Sequence, residues 1–488
     1  MKKIASFFSY TYSLLFISVI FCILLISGFT IWGLNHILIS LIFMLFVFAA
    51  FYLLTALPEN FNKLLYPALS VLLGIIIKLG WLIFIGSQMQ MKYDYLTALE
   101  SARGIFAEKE LVYVHWALYP RILSVFMKIF GNSYNTAIVF NIIVTAFSSL
   151  LVYLTAKSAF GKIKIAFAAS LIFALWPSYN LYNLITSNEH LAILFALSAV
   201  YFLQLAIKQQ GIKRYLFLFF SGISLGFVDF FKQFSIVFFI AFIISSVLWY
   251  FKKNSLIQWK KVFSSIIAFA FLFLITSGTK NIVFSALDNY YGTPVCRSAT
   301  AHFIYMGLNS TGKGVWNDSV GFDFPNLIKE NNGDYEKASG ELFQILKNDL
   351  HDNIKVLPET LKNKLRVDWS ADTGVVDWVS WLYKDGTEAF PGKNFMYLFS
   401  SSFYFVVLLF ILTGEILCFK SKEKKSFFSL LFSLFIFGFF LLLILTEAQG
   451  RYQLVLFPWF AILSSFYGFA VCKRLREKLC LSKKTGSA

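Results

Sequence analysis

The chain has 488 residues, of which 58% are hydrophobic and only 14% charged, with 59 phenylalanines. A soluble protein of this length needs far more charge to cover its surface, so that class is excluded. The net charge of +17 would suit nucleic acid, but the basic residues cluster in short connections at every second turn of the chain. That is the positive-inside pattern of a membrane protein, and no nucleic-acid partner is expected.

Apolar runs long enough to cross a hydrocarbon core of about 30 Å recur from the N-terminus onward. About twelve spans are predicted, at roughly 8–29, 37–56, 66–86, 135–155, 164–181, 189–207, 215–230, 234–251, 262–279, 395–418, 427–446 and 453–472. The fold class is an all-α polytopic membrane protein. The opening Met-Lys-Lys and its apolar run lack a small-residue cleavage site and read as a first span rather than a signal peptide. Lys157, Lys162 and Lys164 form one basic connection, Lys208, Lys213 and Arg214 a second, Lys252, Lys253, Lys260 and Lys261 a third, and Lys420, Lys422, Lys424 and Lys425 a fourth. With an even span count, both termini face the cytoplasm beside these clusters.

Two connections on the opposite face are long. In the first, 88–133, Leu96, Leu99, Ala102 and Phe106 recur at helical spacing, an amphipathic helix at the membrane surface. A second helix is expected after Tyr119-Pro120, ending at Gly131. The other, 281–393, is too long for a plain connection and is expected to fold as a small extracytoplasmic cap, with one helical pattern over Tyr335–Leu350 and a stretch carrying Trp369, Trp378 and Trp381. The organisation is therefore two N-terminal spans in 1–63, a module of spans in 64–280, the cap, C-terminal spans in 394–472 and a basic tail, 473–488. Five cysteines are scattered, with neither a disulfide framework nor a metal-type spacing.

The residues able to carry chemistry lie at the outer interface. Asp94 follows the third span in Met91-Lys-Tyr-Asp-Tyr-Leu. It suits a helix N-cap, and equally a general base facing a cavity at membrane level; the two are compatible. Glu189 opens the sixth span in Thr186-Ser-Asn-Glu-His190, where a helix dipole favours a carboxylate. His190 beside it reads more readily as a packing residue than as a metal ligand, and no metal site is assigned. Lys232 and Asp229 share the short turn between the seventh and eighth spans, and Arg451 lies in Glu447-Ala-Gln-Gly-Arg-Tyr452 before the last span. Both cations run against the sidedness pattern. Lys232 could snorkel to headgroups or meet a phosphate, and the planar fork of Arg451 suits phosphate oxygens. Lys78, midway along the third span, has two readings: it faces the bundle interior, or the span is tilted.

At this point the chain resembles GT-C superfamily glycosyltransferases, and within them the family 39 protein mannosyltransferase-like and aminoarabinose-transferase-like bacterial enzymes. The resemblance is carried by Tyr93-Asp94-Tyr95 with Ala98 and Gly104, Leu118-Tyr119-Pro120, Phe130-Gly131, Ala159-Phe160-Gly161, Pro177 before the Thr186–Glu189 group, and the Gly-Arg-Tyr turn at 450–452. It departs at Tyr95, where the family more often has an acid. The resemblance implies a GT-C-like bundle that transfers a sugar, with inversion, from a polyprenyl-phosphate donor to an acceptor hydroxyl on a glycan, lipid or protein at the outer face of the cell membrane. It implies Asp94 as base and Lys232 and Arg451 as phosphate-binding groups. Glu189 would orient the acceptor or, as in oligosaccharyltransferase-like relatives, help hold a divalent cation. Tyr93, Glu100, Tyr119, His190 and Tyr452 are the expected substrate contacts. No firm cofactor is implied beyond the lipid-linked donor. Two rival readings are a polysaccharide polymerase or O-antigen-ligase-like enzyme, for which 281–393 offers Arg297, His302, His351 and Arg366, and a non-enzymatic lipid flippase.

Overall fold

The computed structural model describes residues 2–33, 37–56, 65–104, 114–253, 259–420 and 426–485. Among them, nine helices are long and apolar enough to cross a membrane, from Phe8–Gly28 to Tyr452–Glu477. Two further apolar helices are shorter, Ile163–Ala174 and Ser235–Phe251, and Ile37–Ala56 is helical throughout. The protein is an all-α polytopic membrane protein. Lys422, Lys424 and Lys425 of the fourth basic connection lie outside the described residues.

Local sequence sets where the helices begin and end. Ser133 caps the helix Tyr134–Phe160 by accepting the Thr136 amide at 3.1 Å, and Gly161 ends it in the left-handed conformation. At Pro177 the fifth apolar run breaks. Ile163–Ala174 is too short to span about 30 Å at 1.5 Å per residue, and a separate turn, Pro177–Tyr182, redirects the chain to the start of Glu189–Lys208. Gly222 and Gly226 bring Gly211–Phe231 against Trp259–Tyr291: a Cβ on either would fall 2.8 Å from Ile275 or Thr279 side-chain carbons. This is close helix approach through small residues four apart. Trp259–Tyr291 also runs as one helix past the end expected near residue 279.

Outside the spans, the first outer connection holds Tyr93–Arg103 and Tyr119–Phe130 as expected, the latter ending at Gly131. Phe106 lies outside the described residues. The cap is helical, and Thr300–Leu308, Asp323–Glu330 and Tyr335–Asp352 enclose a small core of Met306, Phe324, Ile328, Ala338 and Leu342. Its lower part, Leu357–Trp369 and Gly374–Leu382, joins the main membrane core through Trp369, Val375 and Val379.

Several contacts stitch the cap to the turn before the last span. The Glu447 amide donates to the Phe303 carbonyl at 2.8 Å and the Ala448 amide to the Gly314 carbonyl at 2.8 Å. The Lys364 ammonium donates to the carbonyls of Gly307 at 3.0 Å and Ile444 at 2.5 Å. Gly374 packs so closely on Gly450 that a Cβ would sit 2.7 Å from its Cα.

Candidate active site

Four connections that are far apart in sequence converge on one cavity of about 320 Å³. They are the loop after the third span, the Thr186–Glu189 approach, the Phe231–Lys232 turn and the Glu447–Tyr452 turn. Asp94, Glu189, Lys232 and Arg451 all line it, as do Tyr93, Tyr119 and Tyr452. Its volume lies at the low end of the roughly 300–1,000 Å³ typical of small-ligand sites.

Asp94 occupies the first turn of Tyr93–Arg103 without capping it; Lys92 is the N-cap residue, and no side chain caps the turn. The entry is strained, for Tyr93 has φ +47°, a region non-glycine residues rarely adopt. Tyr93 is held there by stacking on Trp381, with ring centroids 5.5 Å apart and planes 13° apart. Strained conformations of this kind cluster at binding and active sites, and this one stands beside the cavity-lining Asp94.

Arg451 is buried and held from several sides. Its Nη1 donates to the Tyr95 hydroxyl, its Nε donates to Gln449 at 2.7 Å, and its guanidinium lies over the Tyr95 and Trp378 rings at 5.1 and 5.3 Å. Its Nη2 stands 3.8 Å from Asp94, a loose pairing, and the Asp94 side chain is half exposed to the cavity. Surrounding protein raises the Asp94 carboxyl above its ordinary value, with Arg451 pulling the other way.

Glu189 is different. It pairs with Lys232 at 3.2 Å and accepts from the Tyr182 hydroxyl at 3.1 Å and from the Ser187 hydroxyl. Buried and bound by three donors, it is a fixed counter-charge rather than a free base. Lys232 also stands 3.8 Å over the Tyr452 ring. Burial lowers the Lys232 ammonium from its ordinary value, and Glu189 opposes that shift. Thr186 donates to the Tyr95 carbonyl at 2.7 Å, locking the two acid-bearing loops together.

Three candidates fall elsewhere. Glu100 does not line the cavity. His190 is buried behind it, 3.5 Å from the Tyr179 hydroxyl. Lys78 is buried in the bundle, 3.4 Å from the Gly74 carbonyl and near the Tyr179 ring, so it faces inward. Asp229 serves structure, accepting from Lys280 at 2.8 Å and from Ser235 at 2.6 Å. Of the residues in 281–393 that a polymerase-like reading would use, His302 reaches the cavity, while Arg297 pairs with Asp288 at 3.3 Å.

Sequence reasoning missed two parts of the site. Glu447 is a third carboxylate on the cavity wall, accepting from Gln449 at 2.7 Å and Tyr452 at 3.0 Å. Burial raises it above the usual carboxylate range, and these hydrogen bonds oppose the rise. The cap supplies the other part, with His302, Phe303, Trp316, Phe322 and Pro325 opposite the charged wall. Of these residues the sequence singles out only His302, and for the polymerase-like reading. A divalent cation does not fit the residues present. Glu189 already pairs with Lys232 and Arg451 stands over Asp94, and among the described residues no three His, Cys, Asp or Glu side chains converge as a ligand set.

Residues 115–277 match the family model described as dolichyl-phosphate-mannose-protein mannosyltransferase. The match agrees with the resemblance to protein mannosyltransferase-like GT-C enzymes read from the sequence, over this stretch of the chain. No curated protein matches the chain. Among solved structures, the S. cerevisiae protein O-mannosyltransferase Pmt1-Pmt2 complex bound to the sugar donor is similar at 17% identity and a TM-score of 0.40, over 53% of this chain and 38% of that one. The Archaeoglobus fulgidus oligosaccharyltransferase in the apo form is similar at 13% identity and a TM-score of 0.48, over 88% of this chain and 53% of that one. The chain thus spans about half or less of the length of these two.

Proposed function

We propose that this protein transfers a sugar from a polyprenyl-phosphate donor to an acceptor hydroxyl at the outer face of the cell membrane, with Asp94 as general base. The observation that carries this reading is the placement of a loosely held carboxylate, Asp94, on the same cavity wall as two cations, the buried Arg451 and the half-buried Lys232.

The chemistry follows from that arrangement. The acceptor oxygen attacks the anomeric carbon as its proton passes to Asp94. The bond from that carbon to the phosphate oxygen breaks, and its electron pair leaves with the phosphate. Attack from the side opposite the leaving group inverts the anomeric centre. Phosphate leaves as a stable anion, so the general acid of the two-carboxylate glycosidases is not needed. Charge building on it would meet the guanidinium fork of Arg451 and the ammonium of Lys232, held in place before the reaction. A cavity of about 320 Å³ takes head groups, leaving the polyprenyl chain in the lipid.

The test is sugar analysis of the cell surface in a strain lacking the gene, complemented with wild type or Asp94→Asn at equal membrane abundance. Wild type should restore one missing sugar and Asp94→Asn should not. Full restoration by Asp94→Asn removes the base assignment. A shortened main chain in place of a missing substituent replaces the reading with a polymerase.

A further inference from the structure

The cavity has two chemically different walls. One, built from the connections between spans, is charged. The other, built from the cap, is aromatic, with two large rings left open inside the cavity: Trp316 at 45% exposure and Phe322 at 55%.

Trp316 is held in one orientation. Its indole lies flush on Gly321, where an added Cβ would come 2.7 Å from Cη2 and Cζ2. The indole N–H donates to Asp318 at 2.9 Å. Phe322 meets the ring edge-on, with centroids 5.9 Å apart at 84°, and His302 approaches at 6.3 Å and 72°. The indole is thus packed on Gly321, bonded through its N–H and flanked by two near-perpendicular rings, and it lines the cavity that holds Asp94.

We propose that this indole is the stacking platform for a pyranose ring of the acceptor, so that the acceptor is a carbohydrate; this rests on the transfer reading above. The C–H face of a pyranose is apolar and weakly positive, and suits the negative face of an aromatic ring. Its hydroxyl edge requires polar partners, and Asp318 stands at the ring edge while the charged wall lies across the cavity. A sugar seated on Trp316 would present a hydroxyl toward Asp94.

The same wall suits other acceptors poorly. A peptide is commonly bound by adding a strand to a free sheet edge. The extended backbone beside the cavity is the isolated pairing of Met89 with Tyr383, and there the Gln90 amide is already satisfied by the Leu382 carbonyl at 2.8 Å. A lipid chain belongs on the membrane side, whereas Trp316 and Phe322 are carried by the cap.

The experiment is saturation-transfer NMR on the full chain in lipid nanodiscs, with methyl hexopyranosides and a serine-containing hexapeptide as probes. Pyranoside ring C–H protons should receive saturation and the peptide should not. Trp316→Ala should weaken pyranoside binding about tenfold and Trp316→Phe far less, since a phenyl ring keeps the stacking face. Gly321→Ala, which drives a methyl into the indole, should weaken binding with Trp316 still present. Unchanged binding in both Trp316→Ala and Gly321→Ala, or saturation of the peptide in place of the pyranosides, overturns the proposal. If Trp316→Ala fails to fold, loss in Gly321→Ala with retention in Trp316→Phe supports the platform, and no change in either overturns it. Binding is read without turnover. Full transfer by Asp94→Asn would therefore sink the base assignment and leave this result standing, while loss of the platform would leave that assignment intact.

Discussion

The two cation–carboxylate pairs of the cavity are built to opposite ends. Lys232 and Glu189 are close, and Glu189 is buried and also accepts from Tyr182 and Ser187. Arg451 and Asp94 are 3.8 Å apart, and Asp94 keeps half of its side chain open to the cavity. In the first pair the acid belongs to the scaffold. In the second the cation is fixed, by Tyr95, Gln449 and Trp378, and the acid stays free. Similar residue pairs thus differ in how many other donors reach the carboxylate, and the transfer reading proposed above assigns the reaction to the open pair.

The largest effect expected of breaking this contrast is on the open side. Asp94→Asn should lower kcat by about 10²- to 10⁴-fold, the range for a lost general base, with thermal stability unchanged because the pairing it loses is loose. Unchanged kcat in nanodisc transfer assays would make the two pairs equivalent. On the closed side Glu189→Gln should act through stability. It takes the counter-charge from half-buried Lys232 and the charged acceptor from the Tyr182 and Ser187 hydroxyls, a loss of about 1–3 kcal/mol, seen as a lower unfolding midpoint in thermal melts. A variant that loses activity with no change in melting would place Glu189 among the reacting groups instead.

Arg451→Lys should raise donor KM about tenfold, since an ammonium cannot reproduce the planar fork, with a smaller change in kcat. The pH profile sharpens the contrast further. The base must be ionised and enclosure raises the Asp94 carboxyl, so activity should rise with pH through a limb above the ordinary aspartate value. Burial lowers Lys232, so the alkaline limb should fall below the ordinary lysine value. Glu447→Gln tests the assignment: it should leave the acid limb in place, and a shifted limb would make Glu447 the titrating group. The smallest effect is expected at Lys280→Met. It breaks a partly exposed pair with Asp229 and should cost no more than about 1 kcal/mol.

Much of this was legible in the sequence because apolar runs and charge placement are local signals. Gly131 ends its helix where expected, whereas Gly161 ends Tyr134–Phe160 beyond the expected 155, and Pro177 opens a separate turn inside the run expected to span 164–181. Lys232 and Arg451 stood out because each is a cation on the face opposite the basic connections, and Asp94 because it sits in the Tyr93-Asp94-Tyr95 motif that carries the resemblance. Glu447 did not, since an outward acid breaks no rule, and only its burial under Gln449 and Tyr452 marks it. Trp316 and Phe322 were invisible for the same reason: an aromatic in a polar loop reads as cap core, and only the fold turns these two toward the cavity. The end of Trp259–Tyr291 was misjudged because Lys280, a polar residue in an apolar run, looked like an exit from the membrane. It pairs instead with Asp229 of the neighbouring helix.

The stitching of the cap to the turn at 445–451 bears on how the protein is made. Glu447, Ala448 and Gly450 are held by Phe303, Gly314 and Gly374, so the loop carrying Arg451 takes its shape from a domain translated well before it. The last hairpin can thread the bilayer correctly while its guanidinium remains misaimed, if the cap has not matured. Full insertion is therefore a poor proxy for competence. A protease-resistance assay on the cap would report assembly of the Arg451 loop better than any topology marker at the C-terminus.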